Sequence, residues 1–149
     1  MSLLTPAELQ TILHNEIPLT KAMGISVKLC NLQAVTLIAE LSKNLNHKCT
    51  AFGGSLYSVA VLAGWSYLYI RLQSLKLNSH IVIQESQVNY LKPVDQDIIA
   101  TCYAPSDKDF KNFVKIFKRK SLARITLHTS INVENQDAVI FDGKYVVHT

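Results

Sequence analysis

From Gly53 to Ile70 the chain is apolar on every face of a helix: Leu56, Val59, Ala60, Val61, Leu62, Ala63, Trp65, Leu68 and Ile70 are broken only by Ser55, Ser58 and Ser66. A helix without a polar stripe must be surrounded, by protein or by lipid. A bilayer span needs roughly 20 apolar residues with few polar ones. This run is shorter and carries those serines, so the expectation is a helix buried in a protein core, with no membrane span. Both flanks read as strands, so a sheet should do the surrounding.

The 149 residues amount to one domain, taken as 1–149, long enough to bury a full core. With 48% hydrophobic and 17% charged residues, the chain has apolar surface to spare for an oligomer interface. The net charge of +4, with basic residues dense only around Lys108–Arg124, is too mild for a nucleic-acid binder. Cys30, Cys49 and Cys102 are odd in number and lack ligand spacing, which argues against a disulfide framework and against a metal site. The N-terminus shows no basic and apolar leader, so the expected location is the cytoplasm.

Taken in order, Thr5-Pro6-Ala7-Glu8 predicts a capped helix over Pro6–His14. Alternation at Ile25, Val27 and Leu29, then at Val35, Leu37, Ala39 and Leu41, predicts a hairpin turning near Asn31-Leu32-Gln33. After the central helix come strands over His80–Lys92 and Ile98–Ala104. Pro105–Lys120 reads as a partly helical excursion. Strands over Leu122–Glu134 and Ala138–Val147 follow, turning at Asn135-Gln136-Asp137. Runs of strands with segregated helices make an α+β fold with a mainly antiparallel sheet.

A buried helix opening on Gly-Gly, followed by a strand that ends in an aromatic-x-x-Pro-Val turn, resembles the hotdog-fold acyl-CoA thioesterases. The residues that carry the match are Asn46, Thr50-Ala51-Phe52-Gly53-Gly54-Ser55-Leu56 and Asn89-Tyr90-Leu91-Lys92-Pro93-Val94. More narrowly, the Thr50–Leu56 opening and Gly64-Trp65 look like the thioesterase-like domain that in some proteins follows an acetyltransferase domain. The resemblance implies an antiparallel sheet wrapped around one long helix. It also implies a homodimer or a dimer of dimers with the site between subunits.

Thioester hydrolysis needs a polarised carbonyl and an aimed water. A helix N-terminus supplies unpaired N–H groups and partial positive charge. By resemblance, the amides of Gly53, Gly54 and Ser55 would be the oxyanion donors. Asn46 either holds the thioester or a water, or caps its own turn. His47 has the chemistry of a base but sits in a loop. Many hotdog thioesterases carry an acid one to two turns into the central helix, whereas here those turns, Tyr57–Gly64, contain none. Ser58 is then a candidate to orient water, or else bonds back to its own helix. Glu85 is the other candidate. Strict alternation puts it on the strand face of Ile81, Ile83, Asn89 and Leu91, where burial would raise its pKa. The expected substrate contacts are Phe52, Tyr57, Val61, Asn89 and Tyr90, with Lys92, Lys118 and Arg119 as cations for coenzyme A phosphates.

The leading reading is an acyl-CoA thioesterase that uses no cofactor beyond the coenzyme A carried by its substrate. The alternative, which the missing helix acid supports, is a non-catalytic acyl or acyl-CoA binding module. Hydration of an enoyl thioester is a third possibility, but His47, His80 and His128 show no recognisable pairing with an aspartate.

Overall fold

A computed structural model describes residues 2–149. The chain folds as an α+β hotdog in which a six-stranded antiparallel sheet wraps one long helix. Helix α1 (Pro6–Glu16) starts on a complete capping box. Thr5 Oγ1 accepts from the Glu8 amide at 3.2 Å, and the Glu8 carboxylate accepts from the Thr5 amide at 2.8 Å. A one-turn helix α2 (Leu19–Ala22), absent from the sequence reading, follows and leads into β1 (Ile25–Cys30) and β2 (Ala34–Ala39). Asn31 Oδ1 accepts from the amides of Gln33 and Ala34 and closes the hairpin where the sequence put it.

Helix α3 (Gly53–Ser74) is the central helix, with Val59, Ala60, Ala63, Tyr67 and Leu68 fully buried. Strand β3 (His80–Tyr90) runs back along it to an edge of the sheet, and β4 (Ile98–Tyr103) pairs with β2. The segment after β4 is one complete helix, α4 (Asp107–Lys120), rather than the partly helical excursion expected. Its lysines masked a plain amphipathic pattern. Phe110, Phe113 and Phe117 are buried, Ser106 caps the Asp109 amide, and the Arg71 guanidinium lies 3.7 Å over the Phe110 ring.

Strands β5 (Leu122–Val133) and β6 (Gln136–His148) complete the order β1-β2-β4-β5-β6-β3. They are joined by Glu134 and Asn135, both left-handed at φ 53° and 63°. That is a two-residue primed turn, so Gln136 and Asp137, expected in the turn, already belong to β6. No helix among the described residues is long and apolar enough to cross a membrane.

Two features of the α3 neighbourhood set the site. First, the Tyr145 hydroxyl donates to the Val61 carbonyl at 2.7 Å, passing so close to α3 that a Cβ on Gly64 would lie 2.1 Å from it. Glycine is required there. Second, β3 carries a bulge against β6: Ile83 pairs with Tyr145, but Glu85 pairs with Lys144, leaving Gln84 unpaired. Before the bulge Ile81 and Ile83 face the helix, and after it Ser86, Val88 and Tyr90 do. Glu85, Gln87 and Asn89 turn to the outer face.

Gly64→Ala should therefore destabilise the protein by about 1–3 kcal/mol, the usual range for overpacking. Gly53→Ala, whose methyl would meet the Tyr90 ring at an ordinary 3.8 Å, should stay within about 0.5 kcal/mol of wild type. Urea midpoints of the two variants measure the contrast.

Candidate active site

The approach to α3 is held by backbone and by one buried amide. Asn44, only 3% exposed, donates from Nδ2 to the carbonyls of Met23 and Glu40. Its own carbonyl accepts from the Phe52 amide at 2.8 Å, while the Ala51 amide donates to Val94 O at 2.7 Å. Phe52 is thereby fixed in extended backbone, φ −63° and ψ 133°, as the N-cap of α3. It has no side-chain acceptor to offer the first amides. The first intrahelical bond here is Leu56 N to Phe52 O, and no side chain caps the amides of Gly53, Gly54 and Ser55. The Phe52 ring folds over Gly54, where a Cβ would stand 2.4 Å from a ring carbon.

The helix opening separates two grooves. One, of about 480 Å³, has Asn46, Lys48, Gly53, Tyr90, Lys92 and Pro93 in its walls. The other, of about 400 Å³, lies on the α2 side against Leu19, Lys43, Phe52, Gly54, Ser55 and Ser58. Further along, between α3 and β3, runs an apolar groove of about 580 Å³ bordered by Val61, Leu62, Trp65, Ile81, Ile83 and Tyr145.

The fold thus brings together Gly53, Gly54, Ser55, Phe52, Tyr57 and Tyr90. The Tyr90 hydroxyl donates to Gly53 O at 3.1 Å, and Tyr57 lies one turn further on the same helix face. Val61 follows in the apolar groove. Other expected residues are engaged differently. Asn46 accepts from the amides of Lys48 and Thr50 and donates to Thr50 Oγ1 at 2.8 Å, so it caps its own loop. Ser58 Oγ donates back to Gly54 O at 2.9 Å.

Glu85 departs furthest from expectation. The bulge at Gln84 puts it on the outer face, exposed and paired with Lys144. Lys144, first by its hydrogen bond and then by its charge, holds the Glu85 carboxyl below the usual glutamate range, opposite to the shift that burial would give. Asn89 stands on the same outer face, opposite Ile140.

Lys92 donates to Val133 O and, at 2.8 Å, to Gln136 Oε1, although it borders the opening. Lys118 and Arg119 end α4 beside Leu122, which pairs with His148, which in turn pairs with His80. Tyr90, at the far end of β3, is the residue that reaches Gly53. A strand of this length separates these cations from the opening by on the order of 30 Å within one chain. The sequence reading missed Lys48, an exposed groove residue with no ion pair among the described residues. It also missed Ser86, whose hydroxyl is 2.8 Å from the Tyr57 hydroxyl. Proximity to Asn46 was a signal for Lys48; Ser86 had none, because its facing depends on the bulge.

Comparison with known proteins places the chain in a family. The family model described as "Putative thioesterase (yiiD_Cterm)" matches residues 6–149. The chain belongs to that family. Among solved structures, a protein of unknown function from Chlorobaculum tepidum is similar at 33% identity, with 98% of each chain covered and a TM-score of 0.90. A structure titled a putative thioesterase from Shewanella oneidensis aligns at 24% identity over 97% of both chains with a TM-score of 0.87. One from Pseudomonas aeruginosa, titled a probable thioesterase, aligns at 15% identity over 98% of this chain and 97% of that one, TM-score 0.83. At those last two identities the likeness speaks for the fold.

The thiols differ sharply around this site. Cys49 is exposed in the loop that carries Asn46, whereas burial pushes the Cys102 thiol up to about 12. Burial, and then the charge of Glu8, also raises the partly buried Cys30. Titration of the native protein with a chromogenic disulfide at pH 8 should therefore label Cys49 first and leave Cys102 unmodified until denaturant is added.

Proposed function

We propose that this protein hydrolyses acyl thioesters of coenzyme A at the N-terminal end of α3. The observation that carries the reading is the row of uncapped amides at Gly53, Gly54 and Ser55, set between two grooves. A thioester carbonyl placed there develops negative charge on oxygen as water attacks carbon. The amides and the positive end of the helix stabilise that charge. The C–S bond then breaks, the thiolate leaves as coenzyme A after taking a proton, and the acyl group departs as a carboxylic acid. Lys48, with Lys92 beside it, supplies cations for the coenzyme A phosphates at the groove mouth.

The working unit in this reading is a homodimer with a site at each subunit boundary. Strand β3 ends the sheet, with backbone groups free to pair, and the apolar groove beside it exposes part of Trp65, Val61 and Ile83. A second copy that pairs along β3 covers both. Light scattering should give twice 16.7 kDa for wild type. Trp65→Glu should shift the mass to the monomer's, and a wild-type monomer would end this part of the reading.

Thiol release across acyl-CoA esters from acetyl to palmitoyl, with ester far above protein so that Cys49 adds nothing, tests the activity. Phe52 is already extended, as a residue before proline must be, so Gly53→Pro removes one donor while keeping the helix start. Its kcat should fall about 10²- to 10³-fold, with Gly53→Ala near wild type. If no ester is cleaved while one still raises the melting temperature, the protein binds acyl-CoA without hydrolysing it. The absence of an acid in Tyr57–Gly64 speaks for that second reading.

A further inference from the structure

We propose that the hydroxyls of Tyr57 and Ser86 form the group that holds and deprotonates the attacking water, taking the place of an acid on the central helix. The inference rests on the thioesterase reading above.

At the seam between β3 and the first turns of α3, four hydroxyls meet: those of Tyr57, Ser58, Ser86 and Tyr90. The Tyr90 hydroxyl donates to Gly53 O, and the Ser58 hydroxyl donates to Gly54 O. Both protons are spent on helix carbonyls. Tyr57 and Ser86 bond only each other, at 2.8 Å. A mutual bond uses one proton of the two, so the pair keeps one donor and several lone pairs for a third partner.

Tyr57 lies four residues after Gly53, so the two share one helix face about 6 Å apart along the axis. The phenol is also held in place. Its ring meets Phe141 edge-on, with centroids 5.7 Å apart and planes at 79°.

Ser86 faces the helix only because Gln84 is bulged out of the ladder with β6, and Arg124 holds that residue by donating to Gln84 Oε1 at 2.9 Å. Bulges recur beside active sites, where they re-aim a side chain. Here the re-aimed side chain is a serine set against a tyrosine one turn into α3, while the carboxylate of Glu85 is turned away.

The step balances without another reactant. Water oxygen bonds to the thioester carbon as its proton passes to one hydroxyl of the pair. That hydroxyl releases its own proton through its neighbour, and a proton ends on the departing sulfur as the C–S bond breaks. Neither residue changes its protonation over the cycle.

Kinetics of Tyr57→Phe, Ser86→Ala, Ser86→Thr and the Phe/Ala double variant, on the ester that wild type cleaves fastest, test the proposal. Melting temperatures check folding; Phe at 57 keeps the contact with Phe141. Each single variant should lose about a hundredfold in kcat with KM little changed. The double variant should be no worse than the singles, as expected of residues acting as one unit. Ser86→Thr, which keeps the hydroxyl, should recover most of the rate. Variants as fast as an active wild type, or losses confined to KM, would overturn this proposal and leave the thioesterase reading standing. No thiol release from wild type with any ester would overturn both.

Discussion

A helix with no polar side has to be enclosed, and the rest of the structure follows from how that is done. Antiparallel strands can curl around such a helix, but a single sheet covers it from one side only. Here β2, β3, β4, β5 and β6 all pack on α3, and α1 packs on β1 at one end of the sheet. The sheet ends at β3, and between that edge strand and α3 lie the apolar groove and, separately, the Tyr57–Ser86 contact. One requirement thus produces the core, an exposed apolar groove beside β3 and an accessible helix start.

The helix start itself works through backbone rather than side chains. Asn44 and the Ala51–Val94 bond pin the loop, the pinned loop extends Phe52, and an extended apolar cap leaves three amides uncapped. A serine or aspartate at position 52 would cap the helix better and occupy those donors. The apolar cap leaves those amides without a side-chain partner.

Most of the fold was legible in the sequence because it was written in periodicity. The alternation of β5 and the all-round apolarity of α3 each allow one environment, and the Thr5/Glu8 box marks its helix at the expected residue. That α3 starts at Gly53-Gly54 was legible too, because the apolar run begins there. What was lost has specific causes. In α4 a dense charge pattern outweighed three phenylalanines, which on their own define the buried face. Asn44 went unnoticed because its burial rests on a bond to Met23 O, which is distant along the chain. Lys118 and Arg119 are close to the site in composition only, because distance along a sheet is not visible in a charge count. Glu85 and Asn89 were assigned to the wrong side of β3 by an assumption of unbroken alternation, and nothing about a glutamine announces a bulge.

That extra residue gives β3 two phases. Counted forward from Ile81, the side chains that meet the helix are odd-numbered; counted back from Tyr90, they are even-numbered. The two counts coexist because Gln84 is left over. Parity therefore belongs to the information the strand carries, alongside the identity of its residues. A one-residue insertion or deletion here is a choice of which chemistry is presented inward, aliphatic, acidic or hydroxylic, rather than a change in length. When this strand is aligned with one lacking the extra residue, one side of Gln84 has to slide by a single position. Without that slide, a carboxylate on the outside of the sheet is matched to a hydroxyl on the inside.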